Sequence, residues 1–312
     1  MSAMTKSPVD SIPTYYGRPA VRPSLYGWTV ALYIFIGGVA AAAQILATAA
    51  DLLSAANSAG VLLAARAIAL AGAVAGGILL IIDLHTKQRF FNMLRIFRPT
   101  SPMSIGTYVL MTFGFWSLAA LIVQLIGLHI LTLIFACIAS LAAWFMTVYP
   151  AALLSATSTP LWAAAPRLLA VRFAGSAFAS GAATLCIIAI ALGAPIARPL
   201  IDFAILALVV ELIASFAAQR MYQASGVAGP LSERPWGLLH LVAQIGGGLL
   251  PIALYIADAV TSPNPGALSI VASVLVLGGS LLMREVMFLA GNESARRPHD
   301  YLTFTRTAEG AA

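Results

Sequence analysis

The chain has 312 residues, of which 61% are hydrophobic and 9% charged, with a formal net charge of +6 and a mean hydropathy of +0.94. That is too little charge to clothe a soluble globule of this length, and no polar stretch is long enough to form a basic nucleic-acid-binding domain. Composition points to a protein embedded in membrane lipid, with no nucleic acid among its partners.

The first 24 residues contain Pro13, Pro19 and Pro23 and no apolar core, and read as a polar tail. Eight apolar runs follow: Tyr26–Leu53, Val61–Ile82, Ile105–Ile126, Ile130–Leu154, Leu168–Leu192, Leu200–Ala218, Gly237–Ala257 and Ala267–Phe288. Each approaches the ~20 residues that carry a helix across about 30 Å of hydrocarbon. Barrel strands would instead alternate polar and apolar residues in segments of about ten. The first run lies too far along the chain, and is too long, for a cleaved signal peptide.

The expected fold is therefore an all-α integral membrane protein with eight transmembrane helices. Its membrane domain covers 25–290, divided into four-helix bundles at 25–162 and 163–290, between tails at 1–24 and 291–312. Lys6, Arg18, Arg22, Lys87, Arg89, Arg95, Arg98, Arg167, Arg220, Arg234, Arg296, Arg297 and Arg306 all fall in the tails and even-numbered loops, which predicts that both termini are cytoplasmic.

Between the second and third runs the chain reads DLHTKQRFFNMLRIFRPTSPMSIG, from Asp83 to Gly106. Phe90, Phe91, Leu94 and Phe97 recur at helical spacing among Lys87, Arg89, Arg95 and Arg98, which predicts a short amphipathic helix at the membrane surface. Ser101 is placed to cap the third span, with Pro102 at its first helical position. Gly37 with Ala41, and Gly72 with Gly76, predict close helix packing.

Neither cysteine supports a metal centre. Cys137 and Cys186 lie inside predicted spans and form no CxxC pair, so no iron–sulfur cluster or metal site is expected in this chain. His85, His129, His240 and His299 do not offer two axial ligands at one depth, so no haem is expected either.

The order of residues resembles the NrfD/polysulfide-reductase membrane-subunit family. A span ends in Asp83-Leu84, Arg89-Phe90 and a basic linker follow, and Ser101-Pro102-Met103-Ser104 leads into a span with Gly106. Tyr26-Gly27-Trp28, Ala31-Leu32-Tyr33, Phe35 and Gly37-Gly38 in the first span agree with it, as do Tyr149, Leu153-Leu154, Pro160 and Trp162 around the fourth. The resemblance implies a quinone-reactive anchor in a bacterial inner membrane, which takes quinone or quinol as exchangeable substrate. It also implies a ferredoxin-like iron–sulfur subunit with several clusters as partner, a molybdenum-containing catalytic subunit beyond it, and a quinol pocket in the first bundle near the outer face.

Two groups of intramembrane polar residues could serve such chemistry. Gln44, Asp51, Arg66, Gln124 and His129 fall in the outer half of the first four spans, within a few turns of one face. There Asp51 can accept a proton, His129 can bond a quinone oxygen and relay a proton, and Gln44 can orient the ring, with Arg66 and Gln124 beside them. The alternative is an Asp51–Arg66 ion pair that only closes the first hairpin.

Deeper or toward the cytoplasm lie Glu211, Arg172, His240 and Gln244. They form either a Glu211–Arg172 pair or a proton path through the second bundle. Gly246-Gly247-Gly248 with Pro251 weakens the seventh span. A secondary transporter using Glu211 and a broken seventh helix is the rival reading, though it calls for an internal repeat that the chain does not display.

Overall fold

The structure is a computed structural model that describes residues 27–53, 58–83, 95–157 and 159–297. The chain folds into eight long apolar helices: α1 (Trp28–Leu52), α2 (Ala59–Asp83), α3 (Pro102–Ile126), α4 (His129–Ser155), α5 (Pro166–Ala191), α6 (Ala197–Ala224), α7 (Trp236–Thr261) and α8 (Ala267–Arg296). Two short helical turns, Pro160–Ala163 and Gly229–Ser232, complete the regular structure among the described residues. Phe90, Phe91 and Leu94 of the predicted amphipathic helix, the cations Lys6, Lys87 and Arg89, the tail 1–24 and residues 298–312 of the tail 291–312 lie outside the described residues.

Helix ends follow local chemistry. Pro102 and Pro166 occupy the first turns of α3 and α5, where a missing amide donor costs nothing. Ser101 is the N-cap residue of α3 as expected, but its side chain makes no cap bond; Ser104 Oγ instead accepts from the Arg98 amide at 3.0 Å. Gly127 ends α3 with φ 85°, a left-handed conformation that glycine adopts without a Cβ penalty, so the chain turns straight into α4.

Each of α1 to α4 packs on the next and α4 returns to α1; α5 to α8 repeat that pattern. Across the middle, α1 touches α5 and α8, and α4 touches α5. The most enclosed helices are thus α1 and α5, whose apolar windows are 72% and 67% buried against 17% for α3. Their composition explains this, since small residues let backbones approach where lipid supplies no hydrophobic drive. Gly38 lies against Ala177, and a Cβ added at Gly181 would sit 2.5 Å from that of Ala42. The predicted contact at Gly72 forms as well, against Ala40. Leu125, Ile130, Leu141, Ile213 and Val260 point outward, where lipid is their natural solvent.

The weak point of the seventh span takes the form of one π-helical turn, Ile245–Leu249, through which α7 continues. Gly247 meets the backbone of Gly279 there, so both helices need glycine at the crossing. The last helix runs on to Arg296, beyond the predicted end at Phe288. Its extra turns are held by protein contacts: Trp162 Nε1 donates to the Met287 carbonyl at 2.9 Å, and Gly291 leaves room for the Trp162 indole. Arg297 then donates through Nη1 and Nη2 to Glu233 at 3.0 and 2.9 Å, fastening the loop before α7.

Candidate functional sites

The inner faces of α1 to α4 enclose a cavity at each end. The first lies where α1 begins and α2 ends, encloses about 40 Å³, and is lined by Tyr33, Gly37, Asp83, Met103, Gly106 and Tyr149 among others. All six belong to the sequence stretches that carry the family resemblance. Four helices bring them together, and two contacts fix the arrangement. Thr29 Oγ1 donates to Asp83 Oδ1 at 2.7 Å, and Gly106 makes way for the Tyr149 ring, which a Cβ would approach to 2.1 Å. One carboxylate, two phenols and the Thr107 hydroxyl, which itself donates to the Met103 carbonyl at 3.0 Å, thus stand around one space.

At the opposite end a larger cavity of about 300 Å³ is lined by Asp51, Ser58, Arg66, Gln124, His129 and Thr132. Four of the five predicted outer residues therefore meet. Arg66, only 1% exposed, donates through Nη2 to Asp51 Oδ2 at 2.5 Å, so the anticipated ion pair is formed. His129 Nδ1 stands 4.0 Å from Asp51 Oδ1 with its side chain 69% exposed. Gln44 lies deeper, outside the cavity lining, and donates through Nε2 to Thr48 Oγ1 at 3.1 Å and to the Ala136 carbonyl at 3.4 Å.

Between α5, α6, α7 and α8 the polar residues form a network around a cavity of only about 10 Å³. Arg172 Nη2 contacts His240 Nδ1 at 3.3 Å, and His240 Nε2 contacts the Gln244 amide at 2.9 Å. Arginine only donates, so Nδ1 is the acceptor and Nε2 carries the proton. Gln244 presents Nε2 both to His240 and to Ser215 Oγ, to which it donates at 2.5 Å; exchanging the nitrogen and oxygen of the amide would give the His240 proton an acceptor. Glu211 makes no direct ion pair with Arg172 among the described residues, and its half-buried carboxyl faces the charges of both Arg172 and Arg284.

Arg284 was missed in the sequence, where its place near the predicted end of the last span hid it. It is 1% exposed and donates through Nη1 to Ser176 Oγ at 3.1 Å, to the Ser280 carbonyl at 2.9 Å and to Ser280 Oγ. Its guanidinium also lies 5.6 and 5.7 Å from the ring centroids of Phe35 and Phe173. The signal that would have found it is the rule that an arginine inside an apolar run needs protein partners.

Cys137 and Cys186 are both free, the first exposed and the second buried. Among the described residues, no group of three or more His, Cys, Asp or Glu is placed to hold a metal ion.

No curated protein matches the chain. A family model described as "Polysulphide reductase, NrfD" matches residues 20–293, nearly the whole chain. With eight helices long and apolar enough to span a bilayer and nearly the whole chain within that match, this multi-pass membrane protein belongs to the NrfD (polysulphide reductase) family, the quinone-linked membrane subunits of respiratory oxidoreductases.

Proposed function

We propose that this protein passes electrons and protons between membrane quinone and a ferredoxin-like iron–sulfur subunit, with a molybdenum-containing catalytic subunit beyond it. The quinone headgroup sits in the cavity lined by Tyr33, Asp83 and Tyr149. The observation that carries this reading is the convergence of the family's residues from four helices on one enclosed space. Oxidation of a quinol releases two electrons and two protons. The electrons leave to the iron–sulfur partner, Asp83 is placed to take the two protons one after the other, giving up the first before the second arrives, and the phenols are placed to bond the quinone oxygens. A space of about 40 Å³ is far below the ~300 Å³ at which ligand pockets begin, so the ring enters only as side chains around Tyr149 and Met146 move apart.

The second reading seats the headgroup at the opposite end, with Asp51 and His129 in acid–base roles and Gln44, Arg66 and Gln124 around the ring. The size of that cavity, about 300 Å³, favours it. Against it, Asp51 is already committed to Arg66. Quinol turnover by the purified complex separates the two. Asp83→Asn and Tyr149→Phe should lower it about 10²-fold while Asp51→Asn and His129→Ala change it little. The reverse pattern moves the seat to the far cavity.

The helix contacts support two four-helix bundles, 25–162 and 163–290, and the distribution of Lys and Arg supports cytoplasmic termini in a bacterial inner membrane. In that orientation the Asp83 cavity opens toward the cytoplasm, opposite to the outer-face pocket that the family resemblance suggested. A cysteine introduced at Thr86 tests it: modification by a reagent confined to the outer side would invert the topology. Arg172, His240, Gln244 and Glu211 are proposed as a proton path through the second bundle. The rival transport reading uses Glu211 and a broken seventh helix; α7 passes through a π-helical turn at Ile245–Leu249 without a gap, which favours it less than the quinone reading.

A further inference from the structure

The space between the two cavities of α1 to α4 changes character along its length. Next to the Asp83 cavity stands an apolar layer of Ala41, Ala73, Phe113, Ala143 and Met146, all buried. Beyond it, toward the far cavity, the inner faces turn polar. Gln44 and Thr48 lie on α1, Ser117 and Gln124 on α3, Ser140 on α4 and Arg66 on α2, each following the helical repeat of the layer before it. Ser140 Oγ donates to Thr48 Oγ1 at 2.8 Å, and Thr48 Oγ1 donates to the Gln44 carbonyl at 2.8 Å.

This stretch is under-satisfied. Gln44 Oε1, Ser117 Oγ, Arg66 Nε and Gln124 Oε1 have no hydrogen-bond partner among the described residues. Gln44 and Ser117 are 0% exposed and Arg66 1%. Buried polar atoms without partners are costly and few in native proteins, and ordered water is their usual complement where space is connected to bulk. Arg66 and Gln124 line the cavity of about 300 Å³, and Gln44 and Ser117 lie about two helical turns further in, on α1 and α3.

We propose that the far half of the α1 to α4 interior, from Asp51 and His129 inward to Gln44 and Ser117, holds a file of ordered water that stops at the Phe113–Met146 layer. Water extends no further because that layer offers it no hydrogen bond. The file is a proton half-channel that ends one layer short of the Asp83 cavity. Met146 belongs to that layer and lines the Asp83 cavity, and its flexible thioether chain is the element of the layer suited to move when a proton crosses. The use as a proton route rests on the quinone seat proposed above; the hydration does not.

Silver ion, a probe near the size of water and excluded from hydrocarbon, tests the file in the intact protein in native membranes. With Cys137 and Cys186 replaced by alanine, single variants Ser117→Cys, Ser140→Cys and Ala73→Cys are exposed to it and then alkylated after denaturation. Protection from alkylation is read by mass spectrometry. Thiols in contact with water ionise and react, so Ser117→Cys and Ser140→Cys should be protected at least about tenfold faster than Ala73→Cys. Protection of Ser117→Cys no faster than that of Ala73→Cys overturns the proposal. The assay needs no quinol, so loss of the quinone seat, read from Asp83→Asn turnover, is a separate outcome.

Discussion

The two halves of the molecule handle buried polar groups in opposite ways. Within α1 to α4 the ionisable side chains stand at the ends, Asp83 at one and Asp51, Arg66 and His129 at the other, each beside a cavity and with an apolar layer between. Within α5 to α8 they gather deeper: Arg172, held by His240, borders a space of about 10 Å³ with Glu211, and Arg284 is held by Ser176 and Ser280. That space is about the size of one water. The first half thus offers two spaces beside its ionisable groups, whereas the space beside Arg172 and Glu211 is too small for a substrate ring and suits holding charge or passing protons.

Breaking each half should have a different signature. The largest effect expected on activity is that of Asp83→Asn, a loss of about 10²-fold in quinol turnover with assembly unchanged. In the second half, Arg284→Ala removes the donor shared by Ser176 and Ser280 and one of the two cations that face Glu211 inside the membrane. It should cost about 3–5 kcal/mol of stability, read as a fall in Tm of the purified complex, and lysine should not restore it. An Arg284→Ala protein with native Tm would show that the network is not structural.

The seam between the halves offers a smaller test. Gly181→Val would press a side chain into Ala42 and should destabilise by about 1–3 kcal/mol without changing the quinol KM. Smallest of all is Glu233→Gln at the exposed clamp on Arg297. The guanidinium holds the Glu233 carboxyl below the usual carboxylate range, chiefly by hydrogen bonding. The pair thus contributes above the ordinary carboxylate pKa and is lost as pH falls through the lowered value. At neutral pH the variant should match the wild type in Tm, because exposed pairs contribute little.

The eight spans were legible because hydrocarbon thickness imposes a length that hydropathy reveals directly. The meeting of Asp51, Arg66, Gln124 and His129 was legible for a similar reason: short connections force neighbouring helix ends together. Gln44 did not join them because seven residues separate it from Asp51, about 10 Å along a helix.

Other features depend on packing that no local pattern records. Tyr33, Asp83 and Tyr149 are far apart in sequence and read as family marks until antiparallel packing gives them a common cavity. The π turn at Gly246–Gly248 also escaped prediction, since the same residues are equally consistent with a kink or a break.

The function proposed for the first half depends on quinone binding between α1 and α4 beside Asp83. The most direct test of that binding is photolabelling of the purified complex with an azido-quinone, followed by peptide mapping. Label should appear on peptides containing Tyr33 or Tyr149 and be competed away by native quinol. Label confined to the peptides of Asp51 and His129, or to α5 to α8, would contradict it.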